Sequence, residues 1–301
     1  MGQTRIRFKA IPPRPRDIAM HKTVAVITPA YKAQDTLATT VQSVLEQTHV
    51  QWEHWIIADD GFDYAGFLGE RGLADPRQRF VGSGGIGRGA SNARNVALEQ
   101  LKTSYAAILD ADDRLKPQKL ERAVAALDEH GIVTTALDVM TMDFAHLRFV
   151  GAGADRVLSP GEHKWVSLSM DSMIVWDRRR GDGRYDPTMS NMTDLEFLLQ
   201  LYRTIPTSMH LGTPLHDYIK RDGSMSNGKN VAAGMIASKR EIVRRLQSGH
   251  YGLRSSDVAG LLGFLDVSLA AEAEYGAALA ARPGLLFEDH IEPKLLAARQ
   301  P

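Results

Sequence analysis

The chain has 301 residues, of which 44% are apolar, and this is enough to bury the core of one large domain or of one domain with an addition. Lysine plus arginine and aspartate plus glutamate number 36 each, so no net charge favours nucleic acid or an acidic polymer as a partner. The absence of cysteine excludes disulfides, thiolate metal sites and a cysteine nucleophile, and it agrees with a cytoplasmic location.

Basic side chains and prolines dominate residues 1–22, at Arg5, Arg7, Lys9, Arg14 and Arg16 and at Pro12, Pro13 and Pro15. No apolar segment of a signal peptide follows, and no run of about eighteen apolar residues occurs in the chain. We therefore expect a flexible basic arm over residues 1–22 and no membrane-spanning segment. Peripheral contact of this arm with an anionic membrane surface is the alternative to a plain disordered tail.

Short apolar runs alternate with helical spacing from Thr23 onward. The predicted elements are strands at 24–27 and 55–58, a strand end at 80–81, and helices through Leu37, Val41, Val44 and Leu45 and through Ala93, Val96, Ala97 and Leu101. Such alternation implies an α/β fold with a mostly parallel sheet flanked by helices. Sheets of this kind bind their ligands at the carboxyl ends of the strands.

Three carboxylates follow the apolar run 105–109, at Asp110, Asp112 and Asp113. If the strand continues through them, alternation places Asp110 and Asp112 on one face and Asp113 on the other. Neighbouring carboxylates at a sheet edge favour a hard divalent cation such as Mg²⁺ or Mn²⁺, which indicates a site for a metal-bound phosphate. The alternative is that Asp112 or Asp113 caps a helix that begins near Pro117.

The chain is less regular from Ile132 to Asp222 and helical beyond Asn230. A helix is predicted through Leu195, Leu198, Leu199 and Tyr202, and an apolar stripe follows the capping candidates Ser255 and Ser256 at Val258, Leu261, Leu262, Leu265 and Leu269. We expect residues 230–301 to form an α-helical appendage. The stripe is interpreted as intrachain core, with a homodimer seam as the alternative.

These pieces together resemble an inverting family-2 glycosyltransferase with the GT-A fold. Four segments match in order: VITPAY at 26–31 with SVLEQT at 43–48, IIADDG at 56–61, GASNARN at 89–95, and LDADD at 109–113. The likeness is strong from about 23 to 120 and weaker to about 226. It implies a Rossmann-like GT-A domain over residues 23–229.

In the family the first two segments hold the nucleotide, which implies that Pro29 and Tyr31 lie at the nucleotide and that Asp60 hydrogen-bonds the base. A tyrosine face can stack on a uracil-like ring while a carboxylate accepts the ring N–H. For Asp60 the alternative is a simple β-turn. Arg94, near the start of its helix behind Ser91, would reach the base or the diphosphate, and its alternative is a solvated surface arginine.

The resemblance also implies that Asp110 contacts the ribose and that Asp112 binds the Mn²⁺ or Mg²⁺ that bridges both phosphates. The family's catalytic base usually lies in a Glu-Asp pair that opens a helix well after the metal motif. Here Thr193 replaces the glutamate, so Asp194 is the predicted base and Glu196 is a weaker candidate. A helix cap at Thr193 or Asp194 is the alternative.

Two further departures from the family concern the metal and the nucleotide. Lys32 stands where an asparagine commonly follows the tyrosine. Segment 218–226 resembles the family's closing loop but lacks its frequent histidine. If that histidine is a metal ligand in relatives, Asp222 or water must take its place here, and metal affinity would be weak.

The reaction implied by the resemblance is transfer of a sugar, in one displacement with inversion, from a nucleotide-diphosphate donor to an acceptor hydroxyl. A UDP-sugar is the expected donor. The expected acceptor is a glycan, a lipid-linked compound or another hydroxyl compound in polysaccharide or glycoconjugate synthesis.

Three other functions fit parts of the sequence. Loop 82–87 has the GxGxxG spacing of a dinucleotide-dependent oxidoreductase, but it follows no buried apolar run, and the first strand of the chain has no glycine at its end. A nucleotidyltransferase would also place metal-binding carboxylates at strand ends. A GT-A-like protein that binds nucleotide without catalysis fits Thr193 and the missing histidine.

Overall fold

The structure is a computed structural model that describes residues 22–168, 171–221 and 231–299. The predicted basic arm lies outside the described residues except for Lys22. The second half of the predicted closing loop, including Asp222, also lies outside them.

One sheet of ten strands organises the described part of the chain. The strands are β1 Val24–Ala30, β2 Trp52–Ala58, β3 Gln78–Gly82, β4 Tyr105–Ile108, β5 Arg114–Leu115, β6 Ile132–Met140, β7 His146–Val150, β8 Arg156–Leu158, β9 Val175–Asp177 and β10 Ser208–Ile219. Their order is β3-β2-β1-β4-β9-β6-β10-β5, with β7 paired to β6 and β8 to β10. The first four strands of this order are parallel, while β9 runs antiparallel to β4 and β6. The predicted mostly parallel α/β sheet is confirmed.

Helices flank the sheet, and in sequence they lie between its strands except for the last three, which follow β10. They are α1 Leu37–Leu45, α2 Tyr64–Gly69, α3 Ala90–Gln100, α4 Lys119–Leu127, α5 Pro160–Ser167, α6 Thr193–Leu201, α7 Val231–Gln247, α8 Ser255–Ala281 and α9 Phe287–Ala298. The predicted alternation of strands and helices is confirmed as far as α4, because buried strands and amphipathic helices have distinct periods that can be read locally.

The C-terminal helices pack onto the core of the sheet. Leu261 and Leu265 of α8 are fully buried in the same apolar cluster as Ile27 of β1. Where α8 crosses α5, a β-carbon on Gly260 would lie 2.6 Å from the carbonyl oxygen of Gly161, so glycine is needed for this close approach. The intrachain interpretation of the apolar stripe is therefore confirmed for these two leucines, which are not available for a dimer seam.

The predicted cap of α8 is wrong. The N-cap residue is Arg254, which has extended backbone, and Ser255 and Ser256 are already the first helical residues. A serine side chain caps a helix only from the N-cap position, where its oxygen can accept the N–H groups of the first turn. Within the three described ranges, no helix is both long enough and apolar enough to cross a bilayer.

Candidate active site

The carboxyl ends of β1, β2 and β4 meet at one edge of the sheet, because these strands are adjacent and parallel. Tyr31 follows β1, Asp60 follows β2, and Asp110 follows β4. The topology therefore brings these three predicted residues to the same edge, where ligands of open α/β sheets bind.

Asp60 is fixed by three hydrogen bonds, one of which connects the end of β2 to the end of β1. Its Oδ2 accepts the backbone N–H of Lys32 at 2.7 Å and the hydroxyl of Tyr64 at 2.8 Å, and its Oδ1 accepts the N–H of Phe62 at 3.1 Å. Burial alone would raise the pKa of Asp60, but these hydrogen bonds outweigh it and lower the pKa. The β-turn alternative does not account for the long-range contact with Lys32.

The backbone of Lys32 explains its contact with Asp60. Lys32 has a φ of +51°, in the left-handed region where asparagine is enriched among non-glycine residues. This conformation costs a lysine about 1–3 kcal/mol. The strained backbone directs the Lys32 N–H to the Asp60 carboxylate, so the substitution for asparagine leaves this contact in place.

Tyr31, Pro29 and a cavity lie at the same edge of the sheet as Asp60. The ring of Tyr31 is 49% exposed, and Pro29 is half-buried within β1, in register with Ile57 of β2. A cavity of about 290 Å³ lies between the start of α2 and the loop after β3, lined by Gly61, Phe62, Tyr64, Phe80 and Gly82 among others. The exposed tyrosine ring is able to stack on a planar base.

Asp59 organises the glycine-rich loop 82–89. The buried carboxylate accepts the backbone N–H groups of Arg88 at 2.9 Å and Gly89 at 2.8 Å, and also the hydroxyl of Ser83. These N–H groups are directed at a side chain of the protein, whereas a dinucleotide-binding loop directs them at a phosphate. The loop therefore anchors α3. It also places Arg88, an exposed cation that the sequence interpretation missed, at the same edge.

The three acidic residues lie in a turn, not in a strand. β4 ends at Ile108, and the N–H of Asp113 donates to the carbonyl oxygen of Asp110 at 3.1 Å. Strand alternation therefore does not explain where these side chains lie, because the strand ends before Asp110. The structure nevertheless places Asp113 apart from Asp110 and Asp112. Asp110 and Asp112 each have 32% of the side chain exposed, and Asp113 has 1%. The capping alternative for Asp112 and Asp113 is also wrong, because the N-cap of α4 is Gln118.

Asp113 belongs to the core. Its Oδ1 accepts the N–H of Ile219 at 2.9 Å, and its Oδ2 lies 3.2 Å from Nε2 of His216. Burial, followed by the nearby Asp110 carboxylate, raises the pKa of Asp113 well above its usual value. Burial lowers the pKa of His216 to about 3, so this imidazole is neutral. Asp113 therefore connects the acidic turn to β10.

Asp112 has an electrostatic environment that favours a cation. Burial raises its pKa to about 7, the carboxylates of Asp113 and Asp110 add to the rise, and Arg221 opposes it from 3.7 Å. Within residues 22–168, 171–221 and 231–299, no three histidine, cysteine or acidic side chains converge as a metal-binding group. Mg²⁺ often takes only one or two carboxylates, with phosphate oxygens and water completing its shell. Asp112 and its acidic neighbours fit such an ion.

Arg94 connects the acidic turn to α6. Its side chain is 5% exposed, its Nη2 donates to Oδ1 of Asp110 at 2.6 Å, and its Nη1 lies 3.1 Å from Oδ1 of Asp194. The alternative of a solvated surface arginine is therefore wrong. The guanidinium joins two carboxylates that lie far apart in sequence.

Asp194 is half-buried in the first turn of α6. Its side chain is 26% exposed. Oδ1 is buried against Arg94, so the exposed area belongs to the other atoms of the side chain. Burial raises the pKa of Asp194 to about 6, and Arg94 opposes this rise. The capping alternative is wrong, because the N-cap of α6 is Met192, and no side chain caps the helix.

Glu196 points to a different part of the molecule. Its carboxylate is 1% exposed, accepts a hydrogen bond from Gln200 at 2.7 Å and pairs with Arg245 of α7 at 3.1 Å. These contacts join α6 to the C-terminal helices. Glu196 is thus enclosed, whereas Asp194 is open to solvent beside the acidic turn.

Comparisons with known proteins identify the family. The profile of Glycosyl transferase family 2 matches residues 25–151, a range that contains Tyr31, Asp60, Arg94, Asp110 and Asp112. The putative teichuronic acid biosynthesis glycosyltransferase TuaG of Bacillus subtilis is 31% identical over 218 residues, which cover 70% of this chain and 84% of TuaG. The chain therefore belongs to glycosyltransferase family 2.

Two further proteins are similar to this chain, one over about a third of it and the other over most of it. The UDP-Glc:alpha-D-GlcNAc-diphosphoundecaprenol beta-1,3-glucosyltransferase WfgD of Escherichia coli is 32% identical over 109 residues, which cover 36% of this chain and 42% of WfgD. The crystal structure of S. aureus TarS in complex with UDP-GlcNAc has a TM-score of 0.64 and 16% identity, covering 92% of this chain and 79% of that chain. The expected GT-A fold is confirmed, and the oxidoreductase and nucleotidyltransferase interpretations are set aside.

Proposed function

We propose that this protein transfers a sugar from a UDP-sugar to a hydroxyl of a lipid-linked glycan, with inversion at the anomeric carbon and with help from Mg²⁺ or Mn²⁺. The observation that carries the proposal is the contact of one guanidinium, that of Arg94, with both Asp110 and Asp194. A donor seated at the acidic turn would lie beside a carboxylate able to take a proton. Family membership and the UDP-GlcNAc in the TarS complex support the choice of reaction and donor.

The nucleotide would lie between Tyr31 and Asp60. A carboxylate offers about four sites for hydrogen-bond donors, and three at Asp60 are filled by the protein. The remaining site can accept the N–H of a uracil ring, and the lowered pKa keeps the carboxylate ionised for this role. Stacking on the exposed tyrosine ring would add on the order of 1 kcal/mol.

The acidic turn would hold the diphosphate. Asp112 would bind the cation, and Asp110 would contact the ribose. When bound, such a cation neutralises the charge that develops on the departing diphosphate. Arg221, 3.7 Å from Asp112, is close enough to contribute positive charge to the same group.

Asp194 would act as the general base. The acceptor oxygen forms a bond to the anomeric carbon as the bond from that carbon to the diphosphate oxygen breaks. The acceptor proton passes to Asp194, and UDP leaves with both electrons of the broken bond. Since the attacking and leaving oxygens occupy opposite faces of the sugar, a single displacement inverts the anomeric carbon.

The proposed acceptor follows from the relatives. WfgD is named for a diphosphoundecaprenol-linked sugar as its acceptor, and TuaG is named for the synthesis of teichuronic acid, a glycan. We therefore propose a lipid-linked acceptor at the membrane surface and a peripheral, cytoplasmic location for this chain.

The pH profile tests the role of Asp194. We expect kcat/KM to fall about tenfold per pH unit below pH 6, because the pKa near 6 means that protonated, inactive Asp194 dominates there. Above about pH 7 the base stays ionised and the rate should become constant. Initial rates from pH 5 to 8 at saturating Mn²⁺ measure this profile, because a bound metal would keep Asp112, whose own pKa is about 7, ionised. An unchanged rate from pH 7 to pH 5 would contradict the assignment of Asp194 as base.

A thermal-shift experiment tests the proposed donor and metal. UDP with Mn²⁺ should raise Tm by several degrees, since a ligand at a hundred times its Kd stabilises the native state by about 2.7 kcal/mol. UDP in excess EDTA should have a much smaller effect, because two phosphates beside Asp110 and Asp112 require an intervening cation. NAD⁺ serves as the control and should have no effect. Equal stabilisation in EDTA, or a response to NAD⁺, would count against the proposal.

A further inference from the structure

The Arg94 guanidinium lies between two carboxylates that belong to different elements. Asp110 begins the turn after β4, and Asp194 lies in the first turn of α6. Both acidic side chains are partly accessible to solvent, with 32% and 26% of the side chain exposed, whereas the arginine between them is 5% exposed. A ligand could therefore reach part of each acidic side chain, while the cation that joins them is enclosed.

The surroundings of Arg94 hold it in this place. The Tyr185 ring lies 4.9 Å from the guanidinium carbon and stacks on Phe197 of α6, with ring centroids 4.5 Å apart. Asn95, the next residue of α3, exchanges two hydrogen bonds of 2.8 Å with the backbone of Tyr185. Helix α3 is thus fixed to the segment that leads into α6.

We propose that Arg94 is a positioning residue that holds Asp194 next to Asp110, and that its guanidinium does not bind the donor. The inference rests on the proposed function, because Asp194 is a base only if the protein transfers a sugar. Two carboxylates at neighbouring positions repel each other, and one guanidinium offsets this by donating a hydrogen bond to Asp110 through Nη2 and by lying 3.1 Å from Asp194 Oδ1 through Nη1, as an ion pair. The acceptor and the donor would then keep a fixed geometry, on which the rate of transfer depends.

The charged and titratable groups that act on Asp194 belong to several parts of the fold. Arg94 contributes the positive charge, Asp110 and Asp171 raise the pKa of Asp194, and the buried hydroxyl of Tyr185 also faces the carboxylate. Removing the guanidinium would leave the negative neighbours in place. An opposite charge at this range lowers a carboxyl pKa by about 1–3, so its loss should raise the Asp194 titration midpoint by a similar amount.

The experiment is a carboxyl ¹³C NMR titration of the full chain with labelled aspartate, using Asp194→Asn to assign the resonance. Arg94→Gln should move the Asp194 midpoint up from about 6 by at least about one pH unit. Arg94→Lys keeps a positive charge but loses the planar guanidinium with its several N–H donors, so we expect a smaller rise in the Asp194 midpoint. This variant replaces Arg94→Gln if Arg94→Gln does not fold.

The control is Arg178→Gln. Arg178 is bound to the carbonyl oxygens of Leu98, Leu101 and Thr103 at the other end of α3, so the same chemical change there weakens the helix anchor without touching Asp194. An unchanged midpoint in both Arg94 variants, or an equal shift in Arg178→Gln, would overturn the inference. The titration needs no substrate, so failure of the wild-type protein to transfer a sugar would count against the proposed function alone.

Discussion

Asp194→Asn should lower the rate of sugar transfer by at least about a hundredfold, because an amide fills the same volume but cannot take the acceptor proton. Binding of UDP and Mn²⁺ should stay within a few-fold of wild type, since the donor contacts at Asp60 and Asp112 are untouched. The rate is measured as UDP release from UDP-glucose or UDP-GlcNAc with a lipid-diphosphate-linked GlcNAc acceptor, and binding is measured by titration calorimetry.

Glu196→Gln is the matched control for Asp194→Asn. It removes a carboxylate two residues away in the same helix, but Glu196 is buried against Arg245 and Gln200. We expect lower thermal stability with little change in the rate per folded molecule. A wild-type rate in Asp194→Asn together with an inactive Glu196→Gln would assign the base to Glu196. Nucleotide binding without transfer in the wild-type protein would instead support a non-catalytic nucleotide-binding protein.

Asp112→Asn should weaken metal-dependent binding of UDP by at least about tenfold to a hundredfold, because changes around a metal commonly cost this much and Asp112 is the only carboxylate assigned to the ion. Asp113→Asn should leave both binding and folding near wild type. An asparagine at position 113 can accept the N–H of Ile219 and donate to the neutral His216 ring. Both contacts of Asp113 are thus kept, and the change removes little charge because burial raises the pKa of Asp113 well above its usual value. Calorimetric titration of UDP in the presence of Mn²⁺ compares the two variants.

The effects of Asp112→Asn and Asp113→Asn on UDP binding decide which carboxylate holds the cation. If Asp113→Asn is the more damaging to binding, the metal assignment is shifted by one residue. If neither variant changes the Mn²⁺ dependence, the cation is held elsewhere or is not used. In that case Arg221 would be the first candidate to neutralise the diphosphate, because it is the cation that faces Asp112.

The sheet and its ligand-binding edge could be predicted from the sequence because buried strands and amphipathic helices differ in local periodicity. The helix starts could not. Ser255 and Thr193 have good capping side chains, but the N-cap is decided by backbone conformation at Arg254 and Met192. The acidic segment shows the same limit, since the turn closed between Asp110 and Asp113 depends on one hydrogen bond that has no sequence signature of its own.

The contacts of Arg94 lay beyond any local pattern. Its partner Asp110 is 16 positions away, and the predicted order of helix and strand allowed this pair without requiring it. Its contact with Asp194 depends on where the fold places the first turn of α6 relative to α3, which no motif encodes. For the same reason the burial of Glu196 against Arg245 of α7 became visible only in the folded chain.

A crystal structure of the complex with UDP and Mn²⁺ tests the account most directly. We predict the uracil ring against Tyr31 with its N–H donated to Asp60, the metal on Asp112, and the β-phosphate on the side of the acidic turn that faces Asp194. UDP bound elsewhere, or bound at this edge with Asp112 free of metal and Asp194 remote from the diphosphate, would contradict it.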